Sequence, residues 1–323
     1  MKVEFTLLIS ILALAMNTNA AEWERLAPLP EPNGGFFCGA INGEIVVGGG
    51  TNWKDGTKHW LSRIHTYNPA TNQWREIGIL DAPLAYAAVG QDADAVWFAG
   101  GSSGTATHRV VWKMGADFAM KRAHTLDTGP VLAGGALIGT TLYTLGGTDD
   151  MDQFSRVTRT LLAVDLRTGG TVRLADYPEA AFMIGAFAAC GDRLFAFGGA
   201  RWDATTNEVA NLSAAHAYSP LAKRWEKLPP LPCVNRGITA VALDERHILL
   251  AGGYKNDEEE FTADTFIFDV KTSSYSATKP LPYKAMVGLV KSGEWLYCLG
   301  GEDRKKHRTD AAFRIRWKDL LPR

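Results

Sequence analysis

Long apolar runs are rare in this 323-residue chain, and there is no excess of charge of either sign. Its 34 Lys and Arg are matched by 35 Asp and Glu, for a formal charge of −1. That balance argues against nucleic acid or a membrane surface as partner, since either needs a cationic field. Cysteine is scarce too: Cys38, Cys190, Cys233 and Cys298 match no zinc or redox spacing. Each lies in or beside an apolar stretch, where a buried free thiol is expected rather than a bridge, and a core of this size needs no staples. The seven histidines (His59, His65, His108, His124, His216, His247, His307) are scattered singly. Glycine is the exception, with 33 residues, well above the usual fraction of about 7%. No G-X-Y period is present, and 46% hydrophobic content argues against disorder. The glycines must mark turns.

The one long apolar run lies at the N-terminus, from Phe5 to Met16. Twelve residues are too few to span a bilayer, which takes about 20. With Lys2 before the run and Thr18 and Ala20 after it, residues 1–20 read as a cleaved secretory signal. No cysteine follows the run, so a lipid anchor is not expected. A periplasmic or secreted product is.

An apolar stretch ending in Gly-Gly occurs six times, with last glycines at Gly50, Gly101, Gly147, Gly199, Gly253 and Gly301. The steps are 51, 46, 52, 54 and 48 residues. Upstream of each doublet lies another apolar stretch, such as Ile184–Ala189. Downstream come a polar loop, an alternating strand such as Thr265–Phe268, and often a short strand carrying an aromatic, as at Trp74 and Trp225. Four strands per repeat of about 50 residues is a propeller pattern. The ends complete it: 22 residues after Gly301 and 30 from Ala21 to Gly50 make one more repeat of 52. Strand c of the last blade is then Ala312–Ile315 and its strand d Trp23–Leu26, so the N-terminal strand joins the C-terminal blade and removes two sticky edges.

Period, doublets and aromatic positions resemble kelch repeats over 21–323. The expectation is an all-β, six-bladed kelch-type β-propeller forming a single domain, 21–323. Such a resemblance says little about function.

Because strands in a blade run up and down, the loops after the doublets and the starts of the innermost strands share one face. That face includes Asn52, Tyr86, Arg201, Arg236, Lys255 and Lys284, and its cationic lean suits a small anion such as a sugar acid. In the last blade, Gly301-Glu302-Asp303-Arg304-Lys305-Lys306-His307-Arg308-Thr309-Asp310 puts a carboxylate directly after the doublet. Residue types alone also allow a solvated, charged hairpin tip there.

The segment G-E-x5-R-T-D-A before an apolar strand resembles the active-site blade of the sialic acid mutarotases (N-acetylneuraminate epimerases). The stretches Trp23–Pro28 and Gly34-Gly35-Phe36-Phe37 resemble the segments that come directly after that blade in the family. Here they stand at the N-terminus, as in its cyclically permuted branch. The resemblance implies Glu302 as proton acceptor and Arg308 as a site residue. It also implies interconversion of the α and β anomers of N-acetylneuraminate by acid–base-assisted ring opening and closing, without metal or other cofactor. Positioned acid–base catalysis, worth about 10²–10⁴-fold, is of the right size for a reaction that already proceeds unaided. Arg308 is expected to grip the substrate carboxylate bidentately, with Asp310 holding the loop or orienting Arg308 rather than doing chemistry. Arg236, Arg201, Asn52 and Tyr86 complete the expected substrate site. Unpermuted mutarotases carry a long insertion where this chain has only Tyr254–Ala263, so contacts made by that insertion are not implied. The rival reading is a non-catalytic kelch module binding a glycan or protein, and another sugar isomerase is a further possibility. A copper oxidase would need clustered Tyr, His and Cys ligands, and sialidase S-x-D-x-G-x-T-W boxes are absent.

Overall fold

Six four-stranded antiparallel sheets correspond to the six repeats in the computed structural model, which describes residues 22–322. The expected signal segment, 1–20, lies outside the described residues. The first blade orders Phe37–Ile41, Glu44–Gly48, Arg63–Asn68 and Gln73–Ile79 from the axis outward. The other blades repeat this meander, and their innermost strands contact one another in turn around the ring. No helix among the described residues is long and apolar enough to cross a membrane.

The ring closes as its terminal arithmetic requires. Glu24–Arg25 pairs antiparallel with Ala312–Arg316, and Arg314 donates to the Glu24 carboxylate at 2.8 Å. The strand is shorter than expected, but Leu26 N–H continues the ladder to Ala312 O at 2.9 Å. Leu26, Leu29, Val290, Tyr297 and Leu299 of the closing blade pack on Ile45, Val47 and Tyr67 of the first. The seam is therefore bonded at its edge and filled between its faces, like the other blade junctions.

The outer-strand aromatics have a shared task. Trp74 and Trp225 donate their indole N–H to Ala27 O and Ala175 O of the preceding blade, at 3.0 and 2.8 Å. Trp23 does the same to Pro280 O at 2.9 Å, and the Tyr275 hydroxyl to Pro229 O at 2.8 Å. Each aromatic covers apolar surface while its polar tip bonds the neighbouring blade.

All four cysteines are free; Cys190 and Cys298 are buried, whereas Cys38 and Cys233 are half-buried. Burial pushes the Cys298 thiol up to about 12 and the Cys190 thiol up to about 11. One buried histidine makes stability depend on pH. His216 lies 3.3 Å from the Tyr177 hydroxyl and edge-on to its ring, and burial holds its pKa below the ordinary value against the pull of Glu179. The neutral ring is thus favoured on folding, so this contribution is full above about pH 6.5 and is lost as pH falls through the lower folded pKa. His216→Gln is expected to shrink the drop in urea midpoint between about pH 7.5 and 5.5; an unchanged drop would show that His216 is not its source.

Candidate active site

Six equivalent positions ring the channel mouth. The residue after each doublet bridges the start of an innermost strand: Thr51 to Gly34, Ser102 to Ala85, Thr148 to Val131, Ala200 to Met183, Tyr254 to Arg236 and Glu302 to Met286. Only the last of these six is a carboxylate. Just inside them, Gly35, Tyr86, Leu132, Ile184 and Gly237 share a left-handed backbone with φ between 52° and 72°. Hydrogen bonds of 2.6–3.1 Å link these five in a chain, each N–H donating to the carbonyl of the one before. The chain does not extend to Val287, where a bulge interrupts the innermost strand of the closing blade. Below the mouth, the innermost strands enclose a cavity of about 520 Å³.

Glu302 and Arg308 meet at this mouth. Arg308 Nη1 lies 2.9 Å from Glu302 Oε2 and donates to His307 O at 3.0 Å. Arg308 is 5% exposed, so the solvated-tip reading fails for it, although Arg304, Lys305 and Lys306 of the same hairpin are exposed. The turn is held by His307, whose Nδ1 is 2.5 Å from Asp303 Oδ1. Gly34 lets the guanidinium lie flat: a Cβ there would sit 2.6 Å from Arg308 Cδ and 2.7 Å from Nε. Nε is sealed against this backbone without a partner. Arg308 Nη2 and Glu302 Oε1 are the unengaged atoms of the pair that still reach solvent, and Glu302 is 27% exposed. At rest Nη1 is held by Glu302 and Nε is sealed, so Nη2 is the guanidinium nitrogen without a partner that remains open. Asp310 does not orient Arg308. Its backbone carbonyl accepts from Leu29 N–H, and the carboxylate paired with Arg308 is that of Glu302.

Tyr86 adjoins the pair through Gly34-Gly35. Its ring lies so close to Gly35 that a Cβ there would be 2.4 Å from Cε1. Its hydroxyl is 3.2 Å from Thr51 Oγ1, which itself donates to Gly34 O at 3.1 Å. Arg236 stands on the other side of Glu302. It donates to Asn211 Oδ1 at 2.9 Å and stacks 4.4 Å from the Tyr254 ring centre. Burial lowers its pKa, opposed by the charges of Asp257 and Glu302 and by Tyr254. Asn52 donates to Glu31 Oε2 at 3.4 Å and keeps Oδ1 buried without a partner.

Two of the expected cations are committed elsewhere. Arg201 bonds Asp203 at 2.7 Å within its own hairpin, and no contact joins it to Glu302. Lys255 is neutralised by Glu259 and Asp264 at 2.9 and 2.8 Å. The cationic lean of the face thus reduces to the neighbourhood of Arg308 and Arg236, with Lys284 exposed. The short Tyr254–Ala263 loop still borders the site, because its Asp257 reaches Lys305 at 3.1 Å.

Reading the post-doublet segments as plain polar loops overlooked two β-ribbons, Thr51–Lys54 with Thr57–Trp60 and Ala200–Asp203 with Glu208–Asn211. The first brings Lys58 and Trp60 to Tyr86. Lys58 Nζ is 4.8 Å from both ring centres, and the two rings meet edge to face at 5.7 Å. The signal was present: Asp55-Gly56 between alternating residues is a strong hairpin-turn pair.

A kelch-motif model matches residues 32–80. Kelch-like protein 36 of Bos taurus is 22% identical over 286 residues, covering 85% of this chain and 44% of that protein. Kelch-like protein terF of Aspergillus terreus is 27% identical over 219 residues, covering 65% and 47%. The chain thus spans less than half the length of these relatives. The solved structure of YjhT superposes with a TM-score of 0.68 at 15% identity, over 79% of this chain and 86% of that one. Together with the six blades, these likenesses make the fold a kelch-repeat propeller.

Proposed function

We propose that the chain interconverts the α and β anomers of N-acetylneuraminate, with Glu302 as the proton acceptor. The observation that carries this is the Glu302–Arg308 pair at the channel mouth, in the one post-doublet position of six that holds a carboxylate. The mutarotase-like motif around these two residues supports it, carried on a propeller fold like that of YjhT. Arg308 fixes Glu302 through Oε2, so Oε1 is left to take the proton of the anomeric hydroxyl. The substrate carboxylate is drawn to Nη2 of Arg308 and to the field of Arg236. The work asked of Glu302, a factor of about 10²–10⁴, is ordinary for positioned acid–base catalysis. With export as expected from residues 1–20, the reaction would take place in the periplasm or outside the cell.

The kelch likeness also carries a second reading, a kelch module that binds without catalysis. NMR of freshly released sialic acid separates the two: a mutarotase accelerates anomer exchange saturably, whereas a binding module perturbs the signals without accelerating exchange. Arg308→Lys is expected to raise the KM of exchange about tenfold or more with a smaller effect on kcat, because an ammonium cannot hold Glu302 and a substrate anion in one plane. An unaltered saturation curve would remove Arg308 from the site.

A further inference from the structure

Opening a sugar ring by acid–base catalysis takes a proton from one oxygen and delivers a proton to another, and Glu302 accounts for only the first transfer. We infer that Tyr86 is the second proton carrier, donating to the ring oxygen while Glu302 accepts from the anomeric hydroxyl; this rests on the mutarotase reading.

The placement of Tyr86 is unusual for an aromatic. Its φ is +62°, at a ring position filled in other blades by Gly35, Leu132, Ile184 and Gly237. A bulky residue held in that region costs about 1 kcal/mol or more and persists only where its surroundings impose it. Here Tyr86 N–H donates to Gly35 O at 2.8 Å, and Leu132 N–H donates to Tyr86 O at 3.1 Å. The conformation lays the ring on Gly35, next to the backbone that carries the Arg308 guanidinium. Proton acceptor and proton donor thus flank a single arginine.

The groups facing the phenol suit the task. Thr51 spends its own hydroxyl proton on Gly34 O, so its oxygen accepts from the phenol at rest. Two cations face Tyr86: Lys58 from the ribbon and Arg308 from the closing blade. Glu302, the nearby carboxylate, is paired to Arg308. Burial alone would raise the phenol, but the nearby charges of Lys58 and Arg308 outweigh it and bring Tyr86 below its ordinary value. A phenol so placed gives up its proton more readily, and the phenolate left behind is stabilised.

In the step, Glu302 removes the anomeric O–H proton and that bond's electron pair becomes the new C=O bond. The bond from the anomeric carbon to the ring oxygen breaks, and its pair leaves on the ring oxygen, which takes the Tyr86 proton. Rotation about the freed carbon presents its other face. The phenolate then reclaims its proton from the former ring hydroxyl, whose oxygen attacks the carbonyl carbon, and Glu302 returns its proton to the carbonyl oxygen. Both residues end as they began.

The test compares anomer exchange of N-acetylneuraminate across pH for the full chain, Tyr86→Phe, Lys58→Met and Glu302→Gln, with ultraviolet titration of the phenol as a readout independent of activity. Tyr86→Phe should lower kcat by about 10²-fold or more with little change in KM, and abolish the alkaline limb of the profile. Lys58→Met should move that limb to higher pH, together with the titration assigned to Tyr86 by difference from Tyr86→Phe. If Tyr86→Phe keeps its kcat while Glu302→Gln loses exchange, the Tyr86 assignment falls and the mutarotase reading stands. If the wild-type chain shows no saturable exchange, both fall.

Discussion

Replacing Glu302 with Gln is expected to cut catalysed anomer exchange by about 10²–10⁴-fold, or about 3–5 kcal/mol of transition-state stabilisation. The substitution keeps the side chain's size and an oxygen able to accept from Arg308 Nη1, which now lies 2.9 Å from Oε2. What it removes is the basic oxygen, Oε1, that would take the substrate proton. Removing the charge also leaves the Arg308 guanidinium, 5% exposed, without its counter-ion. A buried charge that loses its partner outright costs about 3–5 kcal/mol. The retained oxygen and the partial exposure of Glu302 reduce that loss, so a folded protein with a lowered melting temperature is expected. The measurement is the saturable exchange rate by NMR beside the melting curve. Near-wild-type exchange in a folded Glu302→Gln protein would remove Glu302 from the chemistry.

Gly146→Ala should produce the second large effect, on stability rather than on the chemistry. Gly146 has φ +66°, and a Cβ there would lie 2.0 Å from Phe182 O and 2.9 Å from Phe182 C. Those are backbone atoms of the next blade, and Phe182 O already accepts from Gly147 N–H at 2.7 Å. The methyl group must push that carbonyl away and weaken the junction. Left-handed strain of about 1–2 kcal/mol adds to overpacking of about 1–3 kcal/mol, and the disturbed hydrogen bond adds about 1 kcal/mol more. Against a total stability of about 5–15 kcal/mol, a loss of about 4 kcal/mol is severe. Gly139→Ala is the control: its φ is +56°, but nothing lies within 4 Å of the added carbon. It should lose only the conformational part, about 1–2 kcal/mol. Equal drops in melting temperature for the two variants would refute the steric account of the doublets.

The glycine doublets illustrate why so much of the fold was legible. A positive φ with a neighbour's atoms already packed where a Cβ would stand admits no side chain, so the constraint is written as Gly-Gly at every turn of the ring, and its spacing counts the blades. The aromatic outer strands were legible as a pattern, but their hydrogen bonds to the preceding blade were not, since those partners lie about 50 residues away in the chain. Asp55-Gly56 announced a hairpin, yet only its register shows that Lys58 and Trp60 reach Tyr86. Arg201 and Lys255 have the residue type and loop position of anion ligands. Both are held by carboxylates within ten residues along the chain, a matter of side-chain distance that spacing does not encode.

The sequence by itself therefore determined the period, the number of blades, the closure by both chain ends and the singular carboxylate after the last doublet. These follow from local rules: alternation of period two, the turn requirement for glycine, and addition along the chain. Tertiary structure decided which charges remain available. It buried Arg308 against Gly34, bound it to Glu302, withdrew Arg201 and Lys255 into internal pairs, and drew Tyr86 and Lys58 toward the mouth. The physical reason is range: a backbone turn is set by its own residues, whereas a charge pair depends on a few ångströms between segments that only the closed ring brings together.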